Sequence, residues 1–357
     1  MEPSKHESSF KGRGAQIQPQ NRYSNLSYVA EHPEGLDIPM LENDKTTFYD
    51  TFPKKVLSYN QSPDLGFNVS LNPYQGCEHG CVYCYARNSH EYWGYGPGLD
   101  FERKILIKKD LIHVLEQEFN KPSYQVQPIV LSGNTDCYQP IERTLGLTRQ
   151  VLKTMLDYRH PVSLITKNSL ILRDLDLLEA LAKLGLVQVA MSLNSLDENL
   201  RQRLEPRTTT ASSRLRVIEK LRAAGIPVML MAAPIIPGLN SDGIPELLKE
   251  AAAHGAQSAS YSLVRLNGAV GDIFADWIHN AYPDRAEKVL GQVKASHGGT
   301  LNESRWGVRM KGEGKLVESI EQLFAISYKK WFPNPEKISL RTDLFVPLKG
   351  RQLDLFS

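Results

Sequence analysis

Short apolar segments alternate with amphipathic segments along the chain from about residue 68 onward. The second to fifth apolar segments are rich in Val, Ile, Leu or Met and show little polar alternation, which is typical of parallel strands buried on both faces. We therefore predict six strands, at residues 68–72, 128–133, 161–166, 187–193, 228–236 and 260–266.

Helical periodicity fills the intervals between these strands. Three of the predicted helices are followed by a glycine, which commonly ends helices, and the first of these three begins at the favourable N-cap Asp174. The predicted helices span residues 108–119, 148–158, 174–184, 212–224, 244–254, 272–278 and 284–296. Strands alternating with helices predict an α/β fold, a partial (β/α)6 barrel of the TIM type, open or closed, with catalytic loops at the carboxyl ends of the strands.

The two ends of the chain lack this pattern. Residues 1–45 are polar and without sustained periodicity, so we predict a disordered arm. Within it, residues 11–15 (Lys-Gly-Arg-Gly-Ala) are suited either to contact a phosphate backbone or simply to remain solvated. The core barrel is expected at residues 60–297. A C-terminal extension follows at residues 298–357, and its last part is expected to be extended over the surface or partly disordered.

Composition narrows the class of protein. The 357 residues are 41% hydrophobic and 23% charged, as in soluble globular proteins. No apolar run is long enough to predict a membrane span, and the N-terminus lacks the apolar region of a secretory signal, so we expect a cytoplasmic protein. The net charge of +2 neither requires nor excludes a polyanionic partner.

Three of the four cysteines, Cys77, Cys81 and Cys84, lie within eight residues, shortly after the first predicted strand. This usage does not suit a disulfide framework and indicates metal or redox chemistry at the mouth of the barrel. A zinc ion is one interpretation, with a fourth ligand from His79, His90 or Cys137. An iron–sulfur cluster is the other, because three thiolates from one loop leave one iron open to a small molecule.

Polar residues lie near the ends of the second, third and fourth predicted strands: Thr135, Lys167, Ser192 and Asn194. Taken singly, each is explained by a turn or by a solvated surface charge. Ser192 and Asn194 are two residues apart, which predicts that both lie on one face. Because barrel enzymes keep their sites at the carboxyl ends of strands, the set together indicates a site around the loop that carries the three clustered cysteines, residues 77–84, here called the cysteine loop.

The spacing C-x3-C-x2-C after the first strand, with Tyr85 beside the last cysteine, resembles the radical S-adenosylmethionine superfamily. The resemblance implies that Cys77, Cys81 and Cys84 hold a [4Fe–4S] cluster whose open iron binds S-adenosylmethionine. It also implies that one electron, from a donor of the flavodoxin or ferredoxin type, cleaves S-adenosylmethionine to methionine and a 5′-deoxyadenosyl radical. That radical abstracts a hydrogen atom from the substrate.

The order of motifs at the later strand ends resembles the spore photoproduct lyase-like, or DNA repair photolyase-like, subfamily over about residues 65–270. This resemblance implies cofactor contacts from Tyr85, Thr135, Lys167, Ser192 and Asn194. Among these, Lys167 and Ser192 would contact the methionine carboxylate or the ribose. Tyr83 would face the substrate, and basic residues near the mouth would contact DNA phosphates.

One departure from that subfamily concerns the hydrogen-atom donor. The lyase carries a cysteine just before its Thr-Ser-Asp motif at the end of the second strand, and the corresponding position here is Gly133. Cys137, four residues later, is the remaining candidate donor; otherwise it is a buried spare thiol. The particular reaction of spore photoproduct lyase is therefore not implied by the resemblance.

The last residues resemble the peptide by which bacterial polymerases and repair proteins bind the β sliding clamp: Gln352, Leu353, Asp354, Leu355 and Phe356. Two leucines and a phenylalanine suit a hydrophobic groove, and the glutamine adds a directional hydrogen bond. The alternative is that this tail packs its apolar residues on its own domain. Clamp binding would bring the protein to DNA independently of the barrel.

Three hypotheses for function follow from these features. The first is a cytoplasmic radical S-adenosylmethionine enzyme that acts on nucleic acid in a DNA-repair-like reaction, with a lyase of the spore photoproduct type as its most specific form. The second keeps the same core and takes a peptide or a small molecule as substrate. The third is a non-catalytic zinc or iron–sulfur module that the tail recruits to DNA.

Overall fold

The computed structural model describes residues 10–23, 45–335 and 338–348. In these ranges ten strands form two sheets. The strands are β1 (Thr47–Thr51), β2 (Leu57–Tyr59), β3 (Val69–Leu71), β4 (Tyr74–Gln75), β5 (Lys104–Lys108), β6 (Ile129–Leu131), β7 (Val162–Thr166), β8 (Val187–Ser192), β9 (Val228–Ile235) and β10 (Ala259–Leu263). One sheet has the order β10-β9-β8-β7-β6-β3-β2, and the other has the order β1-β5-β4.

The larger sheet contains the six predicted strands. Strands β3, β6, β7, β8, β9 and β10 pair in parallel, and β2 pairs antiparallel with β3 at one edge. Among the described residues the two edge strands are not hydrogen-bonded to each other, so the sheet is an open partial barrel and not a closed one. The predicted α/β class is therefore confirmed.

Eleven α-helices lie within the described ranges: α1 (Leu99–Arg103), α2 (Leu111–Phe119), α3 (Glu142–Leu145), α4 (Leu147–Asp157), α5 (Leu175–Lys183), α6 (Glu198–Leu204), α7 (Ala211–Ala223), α8 (Ile244–Ala253), α9 (Val270–Ala281), α10 (Ala286–Ser296) and α11 (Lys315–Trp331). Each predicted helix overlaps one of them. The predictions did not include α11, the longest, although its buried Val317, Ile320 and Phe324 recur every three to four residues. The C-terminal extension thus contains a helix, which packs on α8.

Two apolar clusters hold the site in place. In the main core, Leu71, Leu131, Leu164 and Val189 occupy matching register positions in neighbouring strands and are fully buried. A second cluster joins the cysteine loop to α9 and α10, with these members among others: Cys81, Val82, Tyr83, Phe274, Trp277 and Val289. Burying these side chains fixes the loop against the barrel, because core packing tolerates little displacement.

Residues 10–23 differ from the predicted disordered arm. Arg13, Ala15 and Asn21 are buried, and the backbone amides of Gly14 and Ala15 donate to the Glu102 carboxylate at 3.1 and 2.8 Å. The segment is ordered because a buried carboxylate needs hydrogen-bond donors, and this part of the chain supplies two. The other residues of the predicted arm that precede residue 45 lie outside the described ranges.

Two further expectations concern the surface. Within residues 10–23, 45–335 and 338–348, no helix is long and apolar enough to cross a membrane. The clamp-like peptide Gln352–Phe356 lies outside the described residues, so the structure does not bear on its docking.

Candidate active site

A cavity of about 420 Å³ opens at the carboxyl ends of the parallel strands. The three clustered cysteines line it together with residues at the ends of β7 and β8 and around the end of β9. Its polar or reactive lining residues include Cys77, His79, Cys81, Tyr83, Cys84, Tyr85, Asp136, Lys167, Ser192, Arg265 and Arg309. Seven of the ten residues predicted to form the site therefore share one cavity.

Residues that follow β6 hold the cysteine loop in place. The loop turns at Gly76 and Gly80, whose φ angles of 80° and 68° favour glycine. Gln139 donates to the Gly76 carbonyl oxygen at 3.1 Å and accepts from the Glu78 amide at 2.9 Å. The Glu78 carboxylate in turn accepts from the amide of Ile141 at 2.7 Å. These contacts hold the loop across the mouth of the barrel.

A buried ion pair supports the middle of the same loop. The Arg87 guanidinium donates to the Cys81 carbonyl oxygen at 3.0 Å and pairs with Glu102 at 2.5 Å, and both charged side chains are fully buried. Glu102 also accepts the two amides of the N-terminal segment, from Gly14 and Ala15. The position of Cys81 is therefore linked through two charged side chains to residues near the start of the chain.

The cysteine thiols suit a cluster better than a single zinc ion. Among the described residues, no three Cys, His, Asp or Glu side chains are placed to hold one metal ion. Of the candidate fourth zinc ligands, His90 is buried beside Tyr95 and Phe101, and Cys137 is buried in the main core, so only His79 lines the cavity. Burial, Asp136 and Cys81 raise the pKa of the Cys77 thiol, so three adjacent thiolates require a positive partner.

Lys167 and Ser192, two of the predicted cofactor-binding residues, contact each other. The Lys167 ammonium group donates to the Ser192 hydroxyl at 2.5 Å, and the Glu205 carboxylate lies 3.4 Å from the same ammonium. Lys167 follows β7 and Ser192 ends β8, so their meeting is a consequence of parallel pairing between these strands. The pair presents one cation and one hydroxyl to the cavity.

Asp136 fixes the backbone at the end of β7. Its carboxylate accepts from the Thr166 hydroxyl at 2.8 Å and from the Lys167 amide at 2.9 Å. The His79 imidazole lies 3.4 Å from the same carboxylate, and burial lowers the pKa of this histidine. Asp136 therefore connects the cysteine loop to the strand end that carries Lys167, a role that the sequence did not reveal.

Glu205 is the buried centre of a charged network that includes Tyr83, Lys167 and Arg214. Its carboxylate accepts from the Tyr83 hydroxyl and from the Arg214 guanidinium, the latter at 2.6 Å. Burial alone would raise the pKa of Glu205, but the charges of Arg214 and Lys167 hold it well below its ordinary value. The carboxylate is therefore ionised at neutral pH and orients Tyr83 and Lys167 toward the cavity.

Replacing Glu205 with Gln is expected to lower the free energy of unfolding by about 3 kcal/mol at pH 7, because the buried Arg214 and the partly buried Lys167 lose their counter-charge. The measurement is urea unfolding. Because the folded pKa of Glu205 is depressed, its contribution is complete above the unfolded pKa of about 4.3 and declines as the pH falls below it. The difference between wild type and variant should therefore shrink on acidification.

The control is the exposed ion pair between Glu246 and Lys249. Replacing Glu246 with Gln is expected to cost less than about 1 kcal/mol, because solvent screens the pair. Equal losses for the two variants at pH 7 would contradict the assignment of Glu205 as the centre of a buried network.

The two tyrosines of the loop take different environments. Tyr83 is buried with its hydroxyl on Glu205, whereas Tyr85 is 53% exposed and donates to the Gly133 carbonyl oxygen at 2.6 Å. A Cβ atom at Gly133 would lie 2.9 Å from the Cβ of Ser70, so a larger residue at this position requires local displacement. The position that corresponds to the lyase cysteine is therefore closely packed here.

Three predicted site residues do not line the cavity. The Thr135 hydroxyl donates to the Tyr74 carbonyl oxygen at 2.6 Å and supports the start of the cysteine loop. Asn194 is buried, and its amide has no hydrogen-bond partner among the described residues. Cys137 is fully buried in the main core, between the Ser132 and Thr148 hydroxyls that bond its backbone. The geometry separates the Cys137 thiol from the cavity.

Comparison with known proteins identifies the family. A family model described as the Radical SAM superfamily matches residues 71–251. An uncharacterized protein of Mycobacterium tuberculosis (strain ATCC 25618 / H37Rv) is 35% identical over 246 residues, which are 68% of this chain and 72% of that protein. An uncharacterized protein of Methanocaldococcus jannaschii is 31% identical over 52% of this chain and 66% of its own. The chain belongs to the radical SAM superfamily.

A solved structure supports the same fold. Spore photoproduct lyase complexed with dinucleoside spore photoproduct has a TM-score of 0.59 and 17% identity, and 80% of each chain is covered. A structure of a variant of that lyase has AdoMet bound. Enzymes of this superfamily use a [4Fe–4S] cluster and S-adenosylmethionine and need a reductant, so the predicted cofactors are confirmed.

Proposed function

We propose that this radical SAM enzyme binds its cluster through Cys77, Cys81 and Cys84 and acts on nucleic acid in a DNA-repair-like reaction. The observation that carries the cluster assignment is that these three thiols line one cavity while the fourth cysteine is buried elsewhere. When bound, the cluster supplies the electron that cleaves S-adenosylmethionine. A donor of the flavodoxin or ferredoxin type would deliver that electron.

The chain's own residues bind and orient the cofactor. Lys167 and Ser192 supply an ammonium and a hydroxyl that suit the carboxylate or ribose of S-adenosylmethionine. Tyr85 is exposed beside Cys84 and offers a ring for adenine stacking. Thr135 supports the site indirectly, because its hydroxyl donates to the carbonyl oxygen of Tyr74, which precedes the cysteine loop. Asn194 is buried outside the cavity, so we assign it no direct contact with the cofactor.

Two observations support nucleic acid as the substrate. The fold resembles that of spore photoproduct lyase, whose solved complex contains a dinucleoside photoproduct. Two arginines, Arg265 and Arg309, also line the cavity, and guanidinium groups suit phosphate. Because Gly133 replaces the lyase cysteine and Cys137 is buried, we do not assign hydrogen return to a cysteine of this chain.

Transfer of deuterium tests the substrate class. The reconstituted holoenzyme, S-adenosylmethionine and dithionite are incubated with perdeuterated DNA, native or ultraviolet-irradiated. Deuterium is expected to appear in 5′-deoxyadenosine, because the radical formed from the cofactor takes its hydrogen atom from the substrate. Mass spectrometry of 5′-deoxyadenosine gives the result.

A perdeuterated tryptic digest of cell protein serves as the matched sample. Label from the peptides and none from DNA would overturn the nucleic-acid assignment and favour peptide modification. A reaction without added substrate measures the background of uncoupled cleavage.

A further inference from the structure

The cavity carries two arginines that do not belong to the cysteine loop. Arg265 follows β10, and Arg309 lies between α10 and α11. Arg309 forms an ion pair with Asp64 and donates to the Ser62 hydroxyl, and the Asp64 carboxylate also accepts from the Gly307 amide at 2.6 Å. The charge of Arg309 is therefore balanced by a residue of the β2–β3 loop.

Within the described residues, Arg265 forms no such ion pair. Among the described residues, no carboxylate lies within 4.0 Å of its guanidinium, and its Nη1 donates a hydrogen bond to the Met310 sulfur at 3.5 Å. Its Nε is buried and has no hydrogen-bond partner in the part of the chain that the structure describes. Burial and the neighbouring charge of Arg309 lower the pKa of Arg265 more than Tyr85 and Asp64 raise it, which reflects the cost of keeping a cation there.

The other acidic residues of this region are engaged elsewhere. Asp136 accepts from Thr166 and from the Lys167 amide, and Glu205 pairs with Arg214 and Lys167. Asp64 is shared between Arg309 and a backbone amide. Two arginines and one carboxylate leave this part of the cavity with one uncompensated positive charge. A half-buried guanidinium that lacks an ion-pair partner is costly unless a ligand supplies the anion.

We propose that Arg265 binds an anionic oxygen group of the substrate, a phosphodiester of a nucleic-acid strand, inside the reaction cavity. This inference rests on the proposed function and assigns the residue that positions the substrate there. The planar guanidinium presents paired N–H groups that match two phosphate oxygens, which a lysine does not reproduce. The carboxylate of S-adenosylmethionine has the same chemistry, so the experiment must separate the two sources.

The test compares Arg265→Gln, Arg265→Lys and the exposed control Arg216→Gln in reconstituted holoenzyme. Binding of a fluorescent single-stranded thymidine oligonucleotide is measured by anisotropy at several salt concentrations, and binding of S-adenosylmethionine by equilibrium dialysis. Arg265→Gln is expected to weaken oligonucleotide binding at least about tenfold and to reduce the salt slope by about one. Arg265→Lys should be intermediate, Arg216→Gln should resemble wild type, and affinity for S-adenosylmethionine should not change. Absorbance of the cluster verifies folding.

The outcomes separate this inference from the proposed function. Unchanged oligonucleotide binding in Arg265→Gln, or a loss confined to S-adenosylmethionine, would overturn the assignment of Arg265 to the substrate. Inorganic phosphate, followed by 31P line broadening, provides a second probe. If wild type binds phosphate through Arg265 but does not bind the oligonucleotide, the anion site stands and the nucleic-acid function fails. If wild type binds neither probe, both are wrong.

Discussion

Serine substitution of Cys77, Cys81 or Cys84 is expected to abolish formation of 5′-deoxyadenosine, whereas alanine substitution of Cys137 is expected to preserve it. The physical reason is the separation of the four thiols: three line the cavity and the fourth lies in the main core. A serine hydroxyl is a poor ligand for iron. A cluster with one open iron has only three protein ligands, so it depends on all three thiolates.

Iron content and product formation measure this difference. After reconstitution, wild type and Cys137→Ala should each hold about four iron atoms per chain, and each of the three serine variants should hold far fewer. Cys137→Ala removes a buried sulfur, so a stability loss of about 1 kcal/mol is expected without loss of iron. A fully loaded and active Cys81→Ser variant would contradict the cluster assignment. Loss of product in Cys137→Ala at full iron content would return Cys137 to the site.

The core of the fold could be predicted from the sequence because its strands are buried on both faces. Their residues must be apolar regardless of the rest of the chain, and β7 and β8 show this clearly. The small sheet could not be predicted in the same way. Most of β1 is exposed on both faces, so no alternation marks it, and β4 contains only two residues. This sheet forms because β1 and β4 both pair with β5, and the local sequence does not encode that pairing.

Within the site, the sequence predicted residues whose position follows from a strand end and missed those that depend on distant contacts. Lys167 and Ser192 meet because their strands are parallel neighbours. Asn194 does not share the cavity with Ser192, because β8 ends at Ser192 and strand alternation no longer applies beyond it. Glu205 contacts Tyr83 across 122 positions of sequence, and no local pattern indicates such a pair.

The start of the chain presents the clearest difference between pattern and structure. Residues 10–23 carry too few apolar residues to predict packing, yet their backbone amides at Gly14 and Ala15 donate to Glu102, which supports the cysteine loop through Arg87. A Cβ atom at Gly14 would lie 1.7 Å from the Gly80 carbonyl oxygen. Similarly, Cβ atoms at Gly96 and Gly98 would lie about 2 Å from residues of this segment. Glycine is therefore what allows the segment to approach so closely.

Gly14→Ala is accordingly expected to accelerate loss of the cluster. The added methyl group overlaps a backbone atom that cannot rotate away, and overpacking of this kind costs about 1–3 kcal/mol. Either the cysteine loop must then shift, or the amides of Gly14 and Ala15 must lose their hydrogen bonds to the Glu102 carboxylate. That carboxylate pairs with Arg87, which donates to the Cys81 carbonyl oxygen. The measurement is the rate at which cluster absorbance decays after addition of an iron chelator, with about a tenfold increase expected.

Gly243→Ala is the matched control, because no atom lies within 4 Å of its added methyl group and its backbone is helical. Glu102→Gln breaks the same linkage from the other side by removing the charge that pairs with Arg87. If the linkage transmits the effect, Gly14→Ala and Glu102→Gln should be less than additive, since either change alone releases Arg87. Equal decay rates for Gly14→Ala and Gly243→Ala would mean that the segment covers the loop without supporting the cluster, and fully additive effects would mean that the two contacts act independently on Cys81.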